Sequence, residues 1–171
     1  MTAWIPRIRT LIVLAVAAFI TAGCSGAEEQ TPANAANNGM PEMVVYKTPT
    51  CACCDDWVDH VREAGFEVSA HDITHAELND KKIEGGLGPG MASCHTAFID
   101  GYTIEGHVPA AEIKRLLELR PDVAGLTVPG MPIGSPGMEM GARFDDYEVL
   151  SFRRNGSTEV FATYPRDVGE E

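Results

Sequence analysis

The chain has little positive charge. Its 171 residues include 13 Lys and Arg against 25 Asp and Glu, for a formal net charge of −12 at pH 7. An acidic surface repels the phosphates of nucleic acids and the headgroups of anionic lipids, so the composition excludes nucleic-acid binding. Acidic surface residues usually serve only solubility, so this charge does not by itself identify a ligand.

Long apolar runs are also missing. The unbroken run Leu11 to Ile20 is shorter than the roughly 20 apolar residues that a membrane-spanning helix needs. It follows a basic start with Arg7 and Arg9 and leads into small residues, which is the pattern of a secretory signal. We therefore predict a cleaved signal peptide over residues 1–23 and an exported protein. A short anchor helix that is retained is the alternative.

Cys24 gives this signal a second feature. Small residues before a cysteine, at the end of an apolar run, resemble the bacterial lipobox, although Thr21 stands where that motif usually has Leu. The resemblance implies that Cys24 is lipidated and anchors a periplasmic protein to a membrane. Ordinary cleavage nearby, which leaves Cys24 as an unused thiol, is the alternative. Residues 24–41 are polar and lack apolar periodicity, so we predict a flexible linker there.

Residues 42–164 have the apolar patterning of one folded domain, and residues 165–171 are predicted to be a loose tail. Apolar runs and turn residues predict these elements in order: strand Met43–Tyr46, a helix capped by Thr50 and ended by Gly65, strand Phe66–His71, helix Ala76–Ile83, strands Thr96–Ile99 and Tyr102–Ile104 around Asp100-Gly101, and a helix opened by Pro109. This α/β order, β-α-β-α-β-β-α, is that of the thioredoxin fold.

Two features follow the last of these helices. Residues 126–141 contain four Gly, three Pro and three Met, which predicts an irregular Met/Gly/Pro-rich loop. Tyr147–Phe152 and Thr158–Tyr164 alternate like strands on either side of Asn155-Gly156, which predicts a C-terminal β-hairpin. We expect the hairpin to pack on the core and to carry the loop to the functional site.

Three cysteines carry the strongest chemical signal. Cys51, Cys53 and Cys54 lie within four residues at the predicted start of the first helix. Unpaired backbone N–H groups and the helix dipole stabilise thiolates there, and thiolates bind soft metals or attack disulfides. Cys51 and Cys54 alone form the C-x-x-C pair of a thiol–disulfide exchanger. The third adjacent thiol suits a soft metal better, because in an exchanger it would invite wrong bridges.

Cys94 supplies a fourth sulfur. In thioredoxin-like proteins the loop before the third core strand lies against the redox motif and normally holds a cis-proline. Here that loop reads Ala92-Ser93-Cys94-His95-Thr96 and has no proline. The four cysteines could hold one tetrahedral ion or bridge several ions in a cluster, with His95 as a further candidate ligand. In an oxidising compartment, disulfides Cys51–Cys54 or Cys53–Cys94 are the structural alternative.

Methionines distinguish between the candidate metals. Met91 precedes Cys94 by three residues, while Met131 and Met138 lie in the Met/Gly/Pro-rich loop rather than on an apolar face. Thioether sulfur is a soft, neutral ligand that selects Cu(I) over Zn(II), although methionine elsewhere is usually core filler. The pattern favours Cu(I) over zinc, with Met131, Met138, Met91 and His95 as additional candidate ligands.

Four segments, residues 46–54, 91–96, 105–109 and 128–139, carry a family resemblance. Together they resemble a family of exported bacterial proteins with a thioredoxin-like fold, first known as a domain of unknown function, which includes CopG-type copper-resistance proteins. The resemblance implies a copper–thiolate site at the four cysteines and a role in periplasmic copper handling. Copper chaperones or exporters would be the protein partners. A copper-linked oxidoreductase or thiol–disulfide exchanger is the alternative function.

Overall fold

The structure is a computed structural model that describes residues 39–165. The predicted signal peptide, Cys24, most of the predicted linker and most of the predicted tail lie outside the described residues, so those boundaries stay predictions. Among the described residues, no helix is long and apolar enough to cross a membrane.

Ten elements follow one another through residues 39–165: β1 (Met43–Lys47), α1 (Ala52–Glu63), β2 (Val68–Asp72), α2 (His75–Glu84), β3 (Thr96–Ile99), β4 (Tyr102–Glu105), α3 (Ala110–Leu119), β5 (Gly125–Thr127), β6 (Tyr147–Phe152) and β7 (Thr158–Tyr164). The run from β1 to α3 has the predicted thioredoxin-like order, so that prediction is confirmed. The predicted C-terminal hairpin is present as β6 and β7.

All described strands join one sheet, in the order β2-β1-β3-β4-β5-β6-β7. β1 and β2 are parallel, as are β4 and β5, and the other neighbours are antiparallel. The C-terminal hairpin therefore extends the core sheet through β5 and does not cover its face. This position brings the segment between β5 and β6, which contains the Met/Gly/Pro-rich loop, back over the core.

β5 was not predicted, because the sequence places an irregular loop from residue 126 onward. A three-residue strand is too short to show an apolar periodicity. Gly125 makes the pairing with β4 possible, since a Cβ at this position would overlap the carbonyl group of Thr103. The irregular segment therefore begins only after Thr127.

The core explains how α1 presents its cysteines. Trp57, Val58 and Val61 are buried on one face of α1 and pack in the same cluster as Ile113 and Leu116 of α3. Burying each large apolar side chain contributes about 1.5–3 kcal/mol, so this face is fixed against the sheet. Helical spacing places Cys54 on the same face, one turn before Trp57 and Val58, and Cys54 is buried as a result. Cys53 lies off this face and is half-buried.

The first turn of α3 is capped by a histidine from α1. Pro109 precedes the helix and supplies no side-chain cap, and the Ala110 N–H instead donates to His60 Nε2 at 3.1 Å. Nε2 can accept only when it carries no proton. Burial lowers the pKa of His60, and the nearby Glu139 and Glu63 only partly oppose this shift.

Protonation of His60 should therefore destabilise the fold. Because its pKa is lower in the folded state, its stabilising contribution is complete above the unfolded-state value of about 6.5 and is lost as pH falls through the lower folded value. His60→Gln keeps an acceptor without titrating and should flatten this part of the pH profile. His60→Leu should cost about 1 kcal/mol at pH 8. Urea denaturation from pH 8 to pH 5 measures both effects, and identical profiles for parent and His60→Gln would contradict the assignment.

Candidate metal centre

α1 begins at the cysteine cluster and not one residue earlier. Thr50 was predicted as the helix cap, but Cys51 occupies the N-cap position, and no side chain caps the helix there. The prediction was wrong because the chain turns first, with the Cys51 N–H donating to the Thr48 carbonyl at 3.2 Å. The Cys51 carbonyl then accepts from Cys54 N–H and Asp55 N–H, which starts the helix. All three cysteines consequently lie at the positive end of the helix dipole.

Four cysteine sulfurs converge at this point. Cys51 and Cys54 form a disulfide, whereas Cys53 and Cys94 are free thiols, so the alternative pairing Cys53–Cys94 is not formed. The Sγ atoms of Cys51 and Cys53 are 3.6 Å apart, and all four Sγ atoms lie within 4.8 Å of one another. Reduction of the disulfide, by two electrons and two protons, would free all four sulfurs for one cluster.

The segment 91–95, which we call the Cys94 loop, lies against the start of α1 as predicted. Hydrogen bonds from three neighbouring segments hold its backbone. At β4, Ser93 N–H donates to Glu105 Oε1 at 2.6 Å, and the Gly106 N–H just after β4 donates to the His95 carbonyl at 3.1 Å. Thr127 Oγ1 of β5 donates to the Met91 carbonyl at 2.7 Å, and Gly130 N–H of the Met/Gly/Pro-rich loop donates to the Ala92 carbonyl at 3.2 Å. These contacts fix the loop where a thioredoxin-like protein would use a proline.

Glu105 is the buried centre of this arrangement. Its carboxylate has no solvent exposure and accepts from Ser93 N–H, from Thr96 Oγ1 at 2.7 Å and from the Lys82 ammonium group. Burial raises the pKa of Glu105, while Lys82 and the two other donors act in the opposite direction. A buried carboxylate is tolerated here because each of its donors is in place.

Replacing Glu105 with Gln should cost about 2–3 kcal/mol of folding free energy, because it leaves the largely buried Lys82 without its anion. The double variant Lys82→Met with Glu105→Gln should recover part of that loss. Guanidinium denaturation of the single and double variants forms a double-mutant cycle that measures the coupling. Additive effects of the two substitutions would show that the pair is not coupled.

His107 faces the free thiol of Cys94. The imidazole is fully buried, with Nε2 3.0 Å from Cys94 Sγ and Nδ1 2.8 Å from the Pro136 carbonyl oxygen. A carbonyl only accepts, so Nδ1 carries the proton and Nε2 directs its lone pair at the sulfur. Burial lowers the pKa of His107, which favours this neutral form.

His95 lies on the other side of the same sulfur. Its Nδ1 is 3.3 Å from Cys94 Sγ, and its ring packs on Trp57 with the centroids 4.3 Å apart. Burial holds the pKa of His95 well below its ordinary value, and the neighbouring His107 adds to the shift. His95 was predicted as a candidate ligand and lies at the cluster, whereas His107 was not singled out. Cys94, His95 and His107 form a second group of potential metal-ligating atoms, all within 4.8 Å of one another.

The electrostatics around Cys94 keep it a thiol in the metal-free protein. Burial, followed by the charge of Cys53, raises the pKa of Cys94 to about 12, and the hydrogen bond from the Ser93 hydroxyl opposes this shift. The Cys94 S–H can therefore donate to His107 Nε2. A cation bound here would have to displace that proton, as metal binding to thiols generally does.

Asp55 adds no free negative charge beside the cysteines. Its carboxylate pairs with the buried Lys47 ammonium group at 2.8 Å, and Asp72 holds the same ammonium at 2.7 Å. Burial disfavours the charged lysine, but the hydrogen bonds to the two carboxylates outweigh it and raise the pKa of Lys47. The end of β1 thus carries a fixed cation below the first turn of α1.

The Met/Gly/Pro-rich loop reaches the site through its backbone. Gly137 packs so closely on α1 that a Cβ there would lie 2.7 Å from the Cys53 carbonyl oxygen and 2.8 Å from Trp57 N. The neighbouring Pro136 orients His107, and the Gly130 carbonyl accepts from the Ser93 hydroxyl. The loop therefore touches both α1 and the Cys94 loop.

The three candidate methionines are placed differently. Met91 is buried, and its Sδ accepts from the Gly88 N–H at 3.4 Å, so this thioether is directed at the glycine-rich turn after α2. Met131 is 51% exposed and Met138 is half-buried, each in a part of the loop that contacts the site by its backbone. Metal ligation by Met131, Met138 or Met91 stays a prediction.

Residues 91–138 match the model of a family described as "Protein of unknown function, DUF411", and this segment contains the Cys94 loop, His107 and Met138. Among solved structures, the chain is similar to two named "Copper resistance protein copG", Form 1 and Form 2. Each is 45% identical with a TM-score of 0.69, and the matches cover 74% of this chain and 98% and 99% of those chains. Curated protein sequences give no match.

Proposed function

We propose that this chain, which belongs to the DUF411 family and is 45% identical to copper resistance protein CopG, is an exported protein that binds Cu(I) in copper handling. Cys51, Cys53, Cys54 and Cys94 would be the ligands. The observation that carries the proposal is the convergence of four sulfurs, from two segments far apart in sequence, within 4.8 Å of one another.

The donor set fits a soft monovalent ion. Thiolates favour Cu(I), and two sulfurs on one tetrahedral ion with bonds of about 2.3 Å lie about 3.8 Å apart. The 3.6 Å between Cys51 and Cys53 is close to that separation, whereas the bonded sulfurs of Cys51 and Cys54 must be reduced and move apart before both can bind an ion. Neighbouring imidazoles are neutral and add no competing positive charge. Four sulfurs so close together also leave room for a cluster of several Cu(I) ions, and zinc is the alternative ion.

Anaerobic titration of the reduced protein with Cu(I), against a chromogenic Cu(I) chelator, tests this proposal. We expect binding that competes with the chelator and disappears when all four cysteines are replaced by serine. Equally tight binding by the four-serine variant would refute it.

Export rests on the signal pattern of residues 1–23, and membrane attachment rests on Cys24. Cell fractionation and the mass of the mature N-terminus test both. Retention of the protein in the cytoplasm would refute the proposed periplasmic role. It would also exclude periplasmic copper chaperones or exporters as partners.

A second candidate function is thiol–disulfide exchange, which does not require copper. The Cys51–Cys54 disulfide favours this function. In the reduced protein, the half-buried Cys51 thiolate would attack a substrate disulfide to give a mixed disulfide. The buried Cys54 would then attack Cys51 Sγ, release the second substrate thiol and re-form the protein disulfide. A dithiol reductant would regenerate the thiols.

Turnover of a small-molecule disulfide, with a dithiol as electron donor, tests this function. Cys54→Ser, in a protein whose neighbouring thiols Cys53 and Cys94 are also changed to serine, should stop after one mixed disulfide at Cys51, detected by mass spectrometry. Absence of turnover in the parent protein would count against exchange and leave the copper proposal standing.

A further inference from the structure

We propose that Cys94, His95 and His107 form a second metal site, which takes one divalent cation while the Cys51–Cys54 disulfide is intact. This inference deepens the proposed function, because the second site shares Cys94 with the Cu(I) site. The two sites are therefore alternatives, and the redox state of Cys51 and Cys54 selects between them.

The distances suit a single ion. His107 Nε2 and His95 Nδ1 lie 3.0 Å and 3.3 Å from Cys94 Sγ. A sulfur and a nitrogen bound to one tetrahedral ion are separated by about 3.5 Å, given bonds of about 2.3 Å and 2.0 Å. An ion could enter if the side chains moved apart by a few tenths of an ångström.

His107 is already oriented as a ligand. Metal-bound histidines generally donate their second N–H to a carbonyl or carboxylate, which fixes the tautomer and the ring direction. His107 makes that bond to the Pro136 carbonyl in the metal-free protein, so its free lone pair is directed at Cys94. The Met/Gly/Pro-rich loop therefore contributes to the site through a backbone oxygen.

The chemistry of the donors separates the two sites. Sulfurs in a disulfide carry no negative charge, so the oxidised pair withdraws Cys51 and Cys54 from coordination and leaves Cys53 and Cys94 as thiols. One thiolate with two imidazoles is a donor set typical of Zn(II), Co(II) and Cu(II), whereas four thiolates favour Cu(I). A divalent ion also repays the cost of removing the proton from Cys94.

Co(II) titration of the oxidised protein tests the inference, since tetrahedral Co(II) with a thiolate ligand gives a characteristic charge-transfer band. Changing Cys24 and Cys53 to serine leaves Cys94 as the free thiol and prevents thiol exchange with the disulfide. We expect one Co(II) per chain with that band. Cys94→Ser should abolish the band, and His107→Gln should weaken binding at least about tenfold. His71→Gln, which alters an exposed histidine, should change neither.

A second measurement covers the case in which His107→Gln folds poorly. Zn(II) should raise the unfolding temperature of the oxidised background protein and not that of its Cys94→Ser version. No Co(II) binding, or an octahedral spectrum that Cys94→Ser leaves unchanged, would overturn the inference. Cu(I) titration of the reduced protein is read separately. Cu(I) binding without Co(II) binding overturns only this inference, and Co(II) binding without Cu(I) binding overturns only the proposed function.

Discussion

Replacing Cys94 with serine is expected to lower the Cu(I) affinity of the reduced protein by more than about 100-fold. Residues that only support a metal ligand already contribute about 10–100-fold, so the loss of a ligand should exceed that range. The other three converging cysteines all come from the start of α1, so Cys94 is the one sulfur that reaches the cluster from the opposite segment. Anaerobic competition with a Cu(I) chelator measures the change.

Cys24→Ser is the matched control for this experiment. It removes the fifth cysteine of the chain, which lies outside the described residues, and should leave the Cu(I) affinity unchanged. Serine is nearly the same size as cysteine, so the fold should persist in both variants, and circular dichroism checks this. An affinity for Cys94→Ser within threefold of the parent would remove Cys94 from the ligand set.

Trp57→Ala should lower the free energy of unfolding by about 3–5 kcal/mol. Trp57 is fully buried, packs on His95 and donates from Nε1 to the Val108 carbonyl at 2.9 Å. Truncation would leave a cavity between α1 and the segment before α3, next to the candidate metal centre. Chemical denaturation measures the loss.

Trp57→Phe removes the hydrogen bond and keeps part of the packing. It retains an aromatic ring against His95 but loses the donor and the volume of the second indole ring, so its cost should lie between about 1–2 kcal/mol for the hydrogen bond and the full cost of Trp57→Ala. If both variants lost the same free energy, the cavity would not be the dominant effect. If Trp57→Ala cost under about 1 kcal/mol, the assignment of Trp57 to the core would be wrong.

Much of the candidate site could be predicted because topology is encoded in element order. The β-α-β-α-β-β-α pattern placed the cysteine cluster at the start of α1 and the loop before β3 against it. This order of elements was sufficient to join Cys94 and His95 to Cys51, Cys53 and Cys54, although these residues are far apart in sequence. The buried faces of the helices could also be predicted, because their apolar residues recur at helical spacing.

Two features could not be derived from local pattern. The spacing of Cys51 and Cys54 permits both a disulfide and a pair of free thiolates, and nothing in the chain selects between them. β5 depends on the approach of the Gly125 backbone to Thr103, which is a tertiary contact without a periodicity of its own. Thr50 was misassigned as a cap for a different reason, because a local turn from Thr48 to Cys51 moves the start of α1 by one residue.

His107 could have been found from the sequence. The two-residue Asp100-Gly101 turn pairs Thr96 with Glu105, and continuing that antiparallel register by two residues places Cys94 opposite His107. Side chains opposite each other on one face of a hairpin are close neighbours. The pairing is visible only when a histidine is considered with its partner across the strands, and a lone histidine carries no such signal.

The same turn limits how the chain length can vary. Asp100 and Gly101 both have positive φ, of 49° and 85°, which fits the two-residue turns that twist with the strands they join. One residue inserted there would shift the pairing by a single position and send the His107 side chain to the opposite face of the sheet. Insertions should therefore be tolerated in the β6–β7 turn and selected against between β3 and β4. We expect functional members of this family to keep the same number of residues between Cys94 and His107.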